Sequence, residues 1–283
     1  ASCRRADVDT SPVLAALRAG AIAVRELELA PLAADAGLAL ARALGRDHDA
    51  IGQAGRQLPG RQPHGQHAAR RQRLHASTAL EDERGPAEDP EEACFARGWS
   101  DGLPVIPPTR ERVLRMLSGT TRDPGEIIGM VPPDLAPCTV EKVAINAVMA
   151  GCKPEYLPVV LAAVEAALID EFGMHGILCT TMFCGPLVVV NGPIAQAIGM
   201  NSGVNALGQG NRANATIGRA LQLVIRNVGG GRPGEVDRSA LGTPGKYTFC
   251  FAEAEDSDWT PLHVQRGCAP GSSAVTLFAG EGV

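Results

Sequence analysis

The sequence predicts an α/β protein with a mixed sheet packed with helices, preceded by a poorly ordered N-terminal segment. From Thr109 onward, short apolar runs rich in β-branched residues intersperse with helical patterns, which is typical of this fold class. Every Phe, Tyr and Trp lies at or after Phe95, so the side chains that contribute most to a core are confined to that part. The residues before Phe95 are rich in Ala and Arg and contain no Lys.

We therefore expect a leader over residues 1-94 and a core domain over residues 95-283. Helical spacing of apolar residues predicts one helix in the leader, from Ser11 to Arg46. The basic run from Arg56 to Arg73 has no interleaved aromatic residues to stack on bases, so it favours a solvated linker over a nucleic-acid site. A further hypothesis is that the leader stems from a wrong start site or reading frame, because it opens without Met and looks like translated GC-rich DNA.

Charge and hydropathy argue against two classes of partner. The formal net charge of -5 gives no reason to expect a nucleic acid or a membrane surface, and no apolar run is long enough to span a bilayer. The eight cysteines are scattered and include no C-x-x-C pair, which indicates free thiols in a reducing compartment. The sequence therefore predicts a cytoplasmic protein with no nucleic-acid and no membrane partner.

The elements of the core follow from capping residues and hydrophobic period. Thr109 and Thr139 are good N-caps, Gly151 ends a helix, and Pro154 begins one that is nearly apolar all round, as expected of a buried layer. The predicted helices are 110–118, 140–150, 154–170 and 212–228, with a short one from Pro193, and the predicted strands are 126–131, 177–183, 187–190, 247–252 and 274–278. The segment from Cys184 to Pro186 either turns a hairpin or bends one continuous strand.

Four segments resemble a family of uncharacterised bacterial proteins. They are Gly98-Trp-Ser-Asp-Gly-Leu-Pro-Val-Ile-Pro-Pro-Thr109, Val143-Ala-Ile-Asn-Ala-Val-Met-Ala-Gly-Cys152, Val189-Val-Asn-Gly-Pro193 and Gly210-Asn-Arg-Ala-Asn-Ala-Thr-Ile-Gly-Arg219. Members of this family lie beside small (seleno)proteins with a selenocysteine-Gly-Ser-Cys motif. The resemblance covers roughly Phe95 to Arg266 and transfers no catalytic residue. It implies a redox or sulfur-handling neighbourhood and a (seleno)protein as a partner.

The first candidate site is the Asn- and Gly-rich loop that leads into the long helix. Free N–H groups at a helix start attract carboxylate or phosphate, and asparagine amides both donate and accept hydrogen bonds. The expected ligand-binding residues are Asn191, Asn205, Gly208, Gly210, Asn211 and Arg212. Two alternatives stay open: these residues merely build turns, or Gly208 to Ala213 is a nucleotide-binding loop, which requires a strand directly before Gly208.

The second candidate site contains the expected catalytic residues Cys184, Cys179 and His175. In an extended strand, Cys179 and Cys184 lie on opposite faces with their Cα atoms about 16 Å apart at ~3.3 Å per residue, too far for a disulfide. One of them could act as a lone nucleophilic thiolate, with Cys184 favoured because it borders a Gly-Pro turn. The alternative is that both are core cysteines.

Two further groups of residues have weaker indications. His175 and His263 lie in inferred loops, and Glu253 to Asp258 form an acidic turn, but no ligand spacing indicates a metal. Arg212, Arg219 and Arg226 recur every seven residues on the expected outer face of the long helix. That stripe is either solvated or a contact between subunits of a homo-oligomer.

The leading hypothesis is a cytoplasmic enzyme that binds an anionic or carbonyl-bearing small molecule at the Asn- and Gly-rich loop and uses thiol or redox chemistry. The alternative is a non-catalytic partner subunit of a thiol or selenol redox protein. The sequence indicates no particular cofactor.

Overall fold

The structure, a computed structural model, describes residues 89–281 and the backbone of residues 23–27. Its strands are β1 (Ala23–Leu27), β2 (Ile127–Val131), β3 (Ala136–Thr139), β4 (Cys184–Asn191), β5 (Cys250–Ala252) and β6 (Ser273–Glu281). Its α-helices are α1 (Pro90–Ala96), α2 (Arg110–Leu117), α3 (Val140–Ala150), α4 (Leu157–Ala167), α5 (Met174–Cys179), α6 (Pro193–Ala197), α7 (Arg212–Asn227) and α8 (Leu262–Gln265). Short 3₁₀ turns cover Pro154–Tyr156, Asp170–Phe172 and Pro244–Lys246.

The main sheet is mixed and has the strand order β1-β6-β4-β5. Strand β4 pairs with β5 in parallel and with β6 antiparallel, and β1 pairs antiparallel with the other edge of β6. Strands β2 and β3 form a separate antiparallel hairpin. The mixed sheet and its packed helices confirm the predicted α/β class.

The helices pack into one core with this sheet. Helix α3 ends at Gly151, whose φ of 93° is left-handed as the predicted terminator requires, and α4 is buried along most of its length. The predicted inner stripe of α7 is buried, from Ala213 at 1% to Val228 at 4% exposure. A buried amide pair links α7 to α3, because Asn227 Nδ2 donates to Asn146 Oδ1 (2.9 Å). Among the described residues, none of the helices has the length and apolar character needed to cross a membrane.

The predicted strand over 177–183 is wrong. Residues 177–179 of that run belong to helix α5, which begins after the left-handed Gly173 (φ 64°) and ends at Cys179, and residues 180–183 are not in a strand. A short apolar run has no periodicity that separates a buried helix from a buried strand, so tertiary packing decided this segment. Strand β4 begins earlier than predicted, at Cys184, so the segment from Cys184 to Pro186 belongs to one continuous strand.

The predicted helix from Ser11 to Arg46 is wrong over residues 23–27, which form β1. Pairing with an open edge of β6 satisfies the backbone of this segment and outweighs its local helical spacing. The rest of that helix, the basic run and the expected disorder of the leader lie outside the described residues.

Candidate functional site

A cavity of about 460 Å³ opens beside the N-terminal end of β4. Its wall is formed by α5, the start of β4, the second half of α7 and the segment between α7 and β5. This size falls within the range of small-molecule sites. The charged, amide and thiol side chains in the wall include Asp101, Cys184, Gln222, Arg226, Asp237 and Lys246.

Helix α7 packs closely against the start of β5, and the second half of the helix lines the cavity. A Cβ added at Gly218 would lie 2.5 Å from Thr248 Oγ1 and 2.9 Å from the Phe249 backbone nitrogen, so only glycine permits the approach. Gln222 and Arg226 follow Gly218 at intervals of four residues and therefore share its face of the helix. Both side chains line the cavity.

Arg226 is a cation in the cavity wall that has no partner among the described residues. Its Nε is buried and has no hydrogen-bond acceptor, and no carboxylate of the described residues pairs with it. The Nε2 of Gln222, one helical turn away, is also buried and without an acceptor. Buried donors are paired in the great majority of cases, so two neighbouring unpaired donors indicate an acceptor outside the described residues.

The other charges of the cavity wall are paired within the protein. Arg219 Nε and Nη2 donate to the two carboxylate oxygens of Asp101 at 2.8 Å each, and the side chains are 14% and 11% exposed. Lys246 Nζ donates to Asp237 Oδ1 (2.8 Å) and to Ser239 Oγ (2.9 Å). These pairs stabilise the wall, and of the charged side chains described there Arg226 alone is unpaired.

The Asp101–Arg219 pair joins the extended segment 98–109 to α7. Arg219 Nη2 also donates to the carbonyl oxygens of Leu103 and Pro104, at 3.2 and 2.9 Å. Burial alone raises the pKa of Asp101, but the hydrogen bond and charge of Arg219 outweigh that effect, so the pKa lies below its usual value. Asp101 is therefore ionised at neutral pH and holds the segment in place.

Cys184 is the one cysteine of the described residues in the cavity wall. Burial raises the pKa of this thiol and outweighs a backbone hydrogen bond and the positive charge of Lys246, both of which act in the opposite direction. The neighbouring Gly185 lies close to the other polar groups, since a Cβ there would be 3.5 Å from both Gln222 Nε2 and Lys246 Cγ. Cys184 is thus a protonated thiol in the same cavity wall as the two unpaired donors.

The other two predicted catalytic residues lie outside the cavity wall. His175 and Cys179 are four residues apart on α5 and both are exposed, whereas Met174, Ile177 and Leu178 of the same helix line the cavity. His175 is in a helix rather than in the predicted loop. The structure therefore separates Cys184 from His175 and Cys179.

At the opposite end of β4, Asn191 is fully buried and bound to two carboxylates. Its Nδ2 donates to Glu253 Oε2 (2.5 Å) and to Glu255 Oε1 (2.9 Å), and its Oδ1 has no partner. Glu255 also accepts from the Gly192 amide at 2.6 Å. Two carboxylates at this position disfavour an anionic ligand.

The Asn- and Gly-rich loop is held by its own side chains. Buried Asn214 accepts from the Asn201 amide (3.0 Å) and donates to the carbonyl oxygens of Asn201 (2.9 Å) and Ala206 (3.0 Å). Asn211 caps α7 by accepting from the Asn214 amide at 3.0 Å, and its Nδ2 donates to Gly199 O at 2.8 Å. These asparagine amides close the loop, as the turn-building alternative requires.

The remaining predicted ligand-binding residues belong to this loop or adjoin it at the start of α7. Asn205 has a positive φ of 59° and donates to Gln209 O, and Gly208 contacts its side chain; both line an open groove shared with Glu253. Gly210 has a φ of 117°, and Arg212 Nε donates to Gly151 O at 3.0 Å. No strand lies directly before Gly208, because the helix Pro193–Ala197 and a loop separate it from β4, so the nucleotide-binding alternative is wrong.

His263 was expected in a loop but lies in α8, 1% exposed, with both ring nitrogens unpaired. Within residues 89–281, no group of His, Cys, Asp and Glu side chains is arranged to hold a metal ion. The expectation of a fully solvated Arg stripe is wrong for Arg219 and Arg226, because one is ion-paired with Asp101 and the other lines the cavity. The subunit contact stays a prediction.

The chain matches no protein-family model, no curated protein and no solved structure. The resemblance suggested by its sequence motifs thus stays a prediction. Function is inferred from the side chains of the cavity.

Proposed function

We propose that the protein is a cytoplasmic enzyme that binds a small anionic or carbonyl-bearing molecule in the cavity and uses the thiol of Cys184. The proposed ligand site is the cavity and not the loop before α7 that the sequence predicted. The asparagine side chains of that loop have protein partners, and the groove beside the loop contains the negatively charged Glu253. The unpaired guanidinium of Arg226 is the observation that carries the proposal.

Arg226 provides the anchor for the ligand. A guanidinium forms charge-assisted hydrogen bonds with carboxylate or phosphate oxygens, and such bonds are strong where water is partly excluded. Gln222 supplies a further N–H donor from the same face of α7. An anionic group bound here supplies the acceptors that both donors lack.

Cys184 provides the reactive group. In the proposed first step its sulfur adds to an aldehyde or ketone carbon of the bound molecule, separate from the anionic group, the carbonyl π bond breaks, and the thiol proton ends on the former carbonyl oxygen. This addition needs no oxidant or reductant. Burial raises the pKa of Cys184, so the reactive thiolate forms at a higher pH than the thiolate of an exposed cysteine. The rate should therefore still increase with pH where an exposed cysteine is already ionised. The seven cysteines of residues 89–281 are all free, which supports a reducing compartment.

A thermal-shift experiment tests the anchor. Wild type, Arg226→Leu and Arg115→Leu are heated with a panel of organic acids, nucleotides and thiols; Arg115 is an exposed arginine on α2 and serves as the charge-matched control. We expect at least one anion to raise the melting temperature of wild type and Arg115→Leu but not of Arg226→Leu. An equal shift in Arg226→Leu would remove the anchor from the proposal.

Turnover of the bound compound class tests the thiol. We expect the isolated chain to be active, Cys184→Ser to bind the compound without turnover, and Cys179→Ser to retain activity, because Cys179 lies outside the cavity wall. If both variants retain activity, the thiol assignment is wrong. If the chain is inactive alone and copurifies in a stoichiometric complex with a thiol or selenol protein, the partner-subunit alternative replaces the enzyme.

A further inference from the structure

The charges in the cavity wall leave one positive charge for a ligand. Among the described residues, its cations are Arg226 and Lys246, and its anions are Asp101 and Asp237. Asp237 is paired with Lys246, and Asp101 with Arg219. A single guanidinium balances a monoanion, whereas a nucleotide or phosphate dianion would bring charge that this wall cannot neutralise.

Two unpaired donors lie next to each other on α7. Gln222 and Arg226 are one helical turn apart, and each has a buried nitrogen without an acceptor. A carboxylate has two acceptor oxygens in one plane, so it can accept from the guanidinium and from the amide at once. A neutral head group such as an alcohol would leave the charge of Arg226 without compensation.

The rest of the wall is largely apolar. Its apolar side chains include Met174, Ile177, Leu178, Pro186, Ile225 and Pro233. Leu241 also lines the cavity and is 90% exposed, which places it at the rim. Of the three hydroxyl side chains in the wall, Ser239 is bonded to Lys246 and to the Met182 carbonyl, which leaves Thr243 and Tyr247. Apolar side chains outnumber these two, so the body of the ligand is largely apolar.

We infer that the ligand of the cavity is an amphipathic monocarboxylate, in which Arg226 and Gln222 bind the carboxylate and the wall formed by α5 and Ile225 contacts an apolar body. This inference rests on the proposed function, because it names the compound class that the same cavity binds. It goes beyond the proposed function because it excludes polyanions as ligands and requires a ligand with a hydrocarbon portion.

Calorimetric titration of the full chain with straight-chain carboxylates, from acetate to decanoate, tests the inference without any variant. We expect the affinity to rise about fourfold with each added methylene, as burial of about 0.8 kcal/mol per CH₂ requires, until the tail fills the cavity. The primary amide of the best carboxylate should bind at least about tenfold more weakly, because it lacks the charge that pairs with Arg226.

Variants locate the carboxylate. Arg226→Leu should weaken the best carboxylate by at least about tenfold and leave its amide unchanged, and Gln222→Leu should have a smaller effect in the same direction. Arg226→Lys keeps the charge and serves as the second variant if the leucine variant does not fold. Arg115→Leu should bind as wild type does.

The outcomes separate this inference from the proposed function. Dicarboxylates and phosphate esters of the same length as the best monocarboxylate are titrated as well. If they bind more tightly than the monocarboxylate and lose that affinity in Arg226→Leu, or if affinity does not depend on chain length, the monocarboxylate inference is overturned and the proposal of anion binding remains. If no anion binds to the wild-type chain, both are overturned. Both are supported if affinity rises with chain length, if the primary amide binds more weakly than the carboxylate, and if Arg226→Leu binds the carboxylate more weakly than wild type does.

Discussion

The two ends of β4 are both rich in polar residues, yet among the described residues only the N-terminal end has a charged group without a partner; the unpaired atom of Asn191 at the other end is a neutral amide oxygen. At the C-terminal end, Asn191 is bound to Glu253 and Glu255, and Asn214 uses its amide to tie the neighbouring loop together. At the N-terminal end, Cys184 adjoins a cavity in which Arg226 has no acceptor. The first end stabilises the fold, and the second can bind a ligand.

This difference shows why a polar composition does not by itself indicate a binding site. Asparagine and glycine concentrate where a chain needs turns and caps, and their amides then bond to the nearest backbone. A binding site is instead indicated by donors that the protein has desolvated and left unpaired. Substitutions at the C-terminal end should therefore change folding stability alone, whereas substitutions in and beside the cavity wall should change ligand binding as well.

The largest expected effect is loss of the Asp101–Arg219 pair beside the cavity. Asp101→Ala leaves a guanidinium that is 14% exposed without its carboxylate, and should lower the free energy of unfolding by about 4 kcal/mol. Urea denaturation at neutral pH measures the change. Asp258→Ala, which removes the same charge from an exposed turn, should change stability by less than about 0.5 kcal/mol.

The same pair has a defined pH dependence. The pKa of Asp101 is lower in the folded chain than in the unfolded chain, where it is about 3.9. The stabilisation is therefore fully present above that value and is lost as the pH falls through the folded-state pKa. The stability difference between wild type and Asp101→Ala should be constant near neutral pH and shrink in acid; a difference that persists unchanged in acid would contradict the ion-pair assignment.

A smaller effect is expected at the C-terminal end of β4. Asn214→Ala removes three hydrogen bonds to the backbone of Asn201 and Ala206, leaves those groups without partners, and should destabilise the fold by about 3 kcal/mol. Chemical denaturation checks it, with exposed Ser202→Ala as the control in the same loop. If Asn214→Ala is as stable as the control, the loop is not held by its own amides, and a ligand-binding role for it returns.

The smallest of the three effects concerns the contact that places α7. Gly218→Ala introduces a Cβ within 2.5 Å of Thr248 Oγ1 and should cost about 2 kcal/mol, while displacing Gln222 and Arg226 enough to weaken anion binding. The matched control is Gly176→Ala on α5, where an added Cβ meets no atom within 4 Å. That variant should be neutral or slightly stabilising, because alanine favours the helix. Equal stability of the two variants would show that α7 does not depend on the close approach.

Local sequence predicted the parts of the fold that short-range physics controls. The sequence predicted the N-cap at Thr139, the left-handed Gly151 and the buried stripe of α7, because caps and helical period depend on neighbours in the chain. The sequence did not predict the helical conformation of Ile177 to Cys179, since a short apolar run fits a strand or a helix equally well. Strand β1 was missed because its hydrogen-bond partner, β6, lies at the far end of the chain.

The sequence by itself determined the fold class, the capped helices and the presence of a thiol near polar residues, because these depend on residue type and local spacing. Only the tertiary structure decided which polar groups were left without partners. Arg219 and Arg226 occupy equivalent positions in a seven-residue repeat, but one meets Asp101 from a distant segment and the other faces a cavity. Pairing of buried charges depends on contacts between distant parts of the chain, which no local pattern specifies.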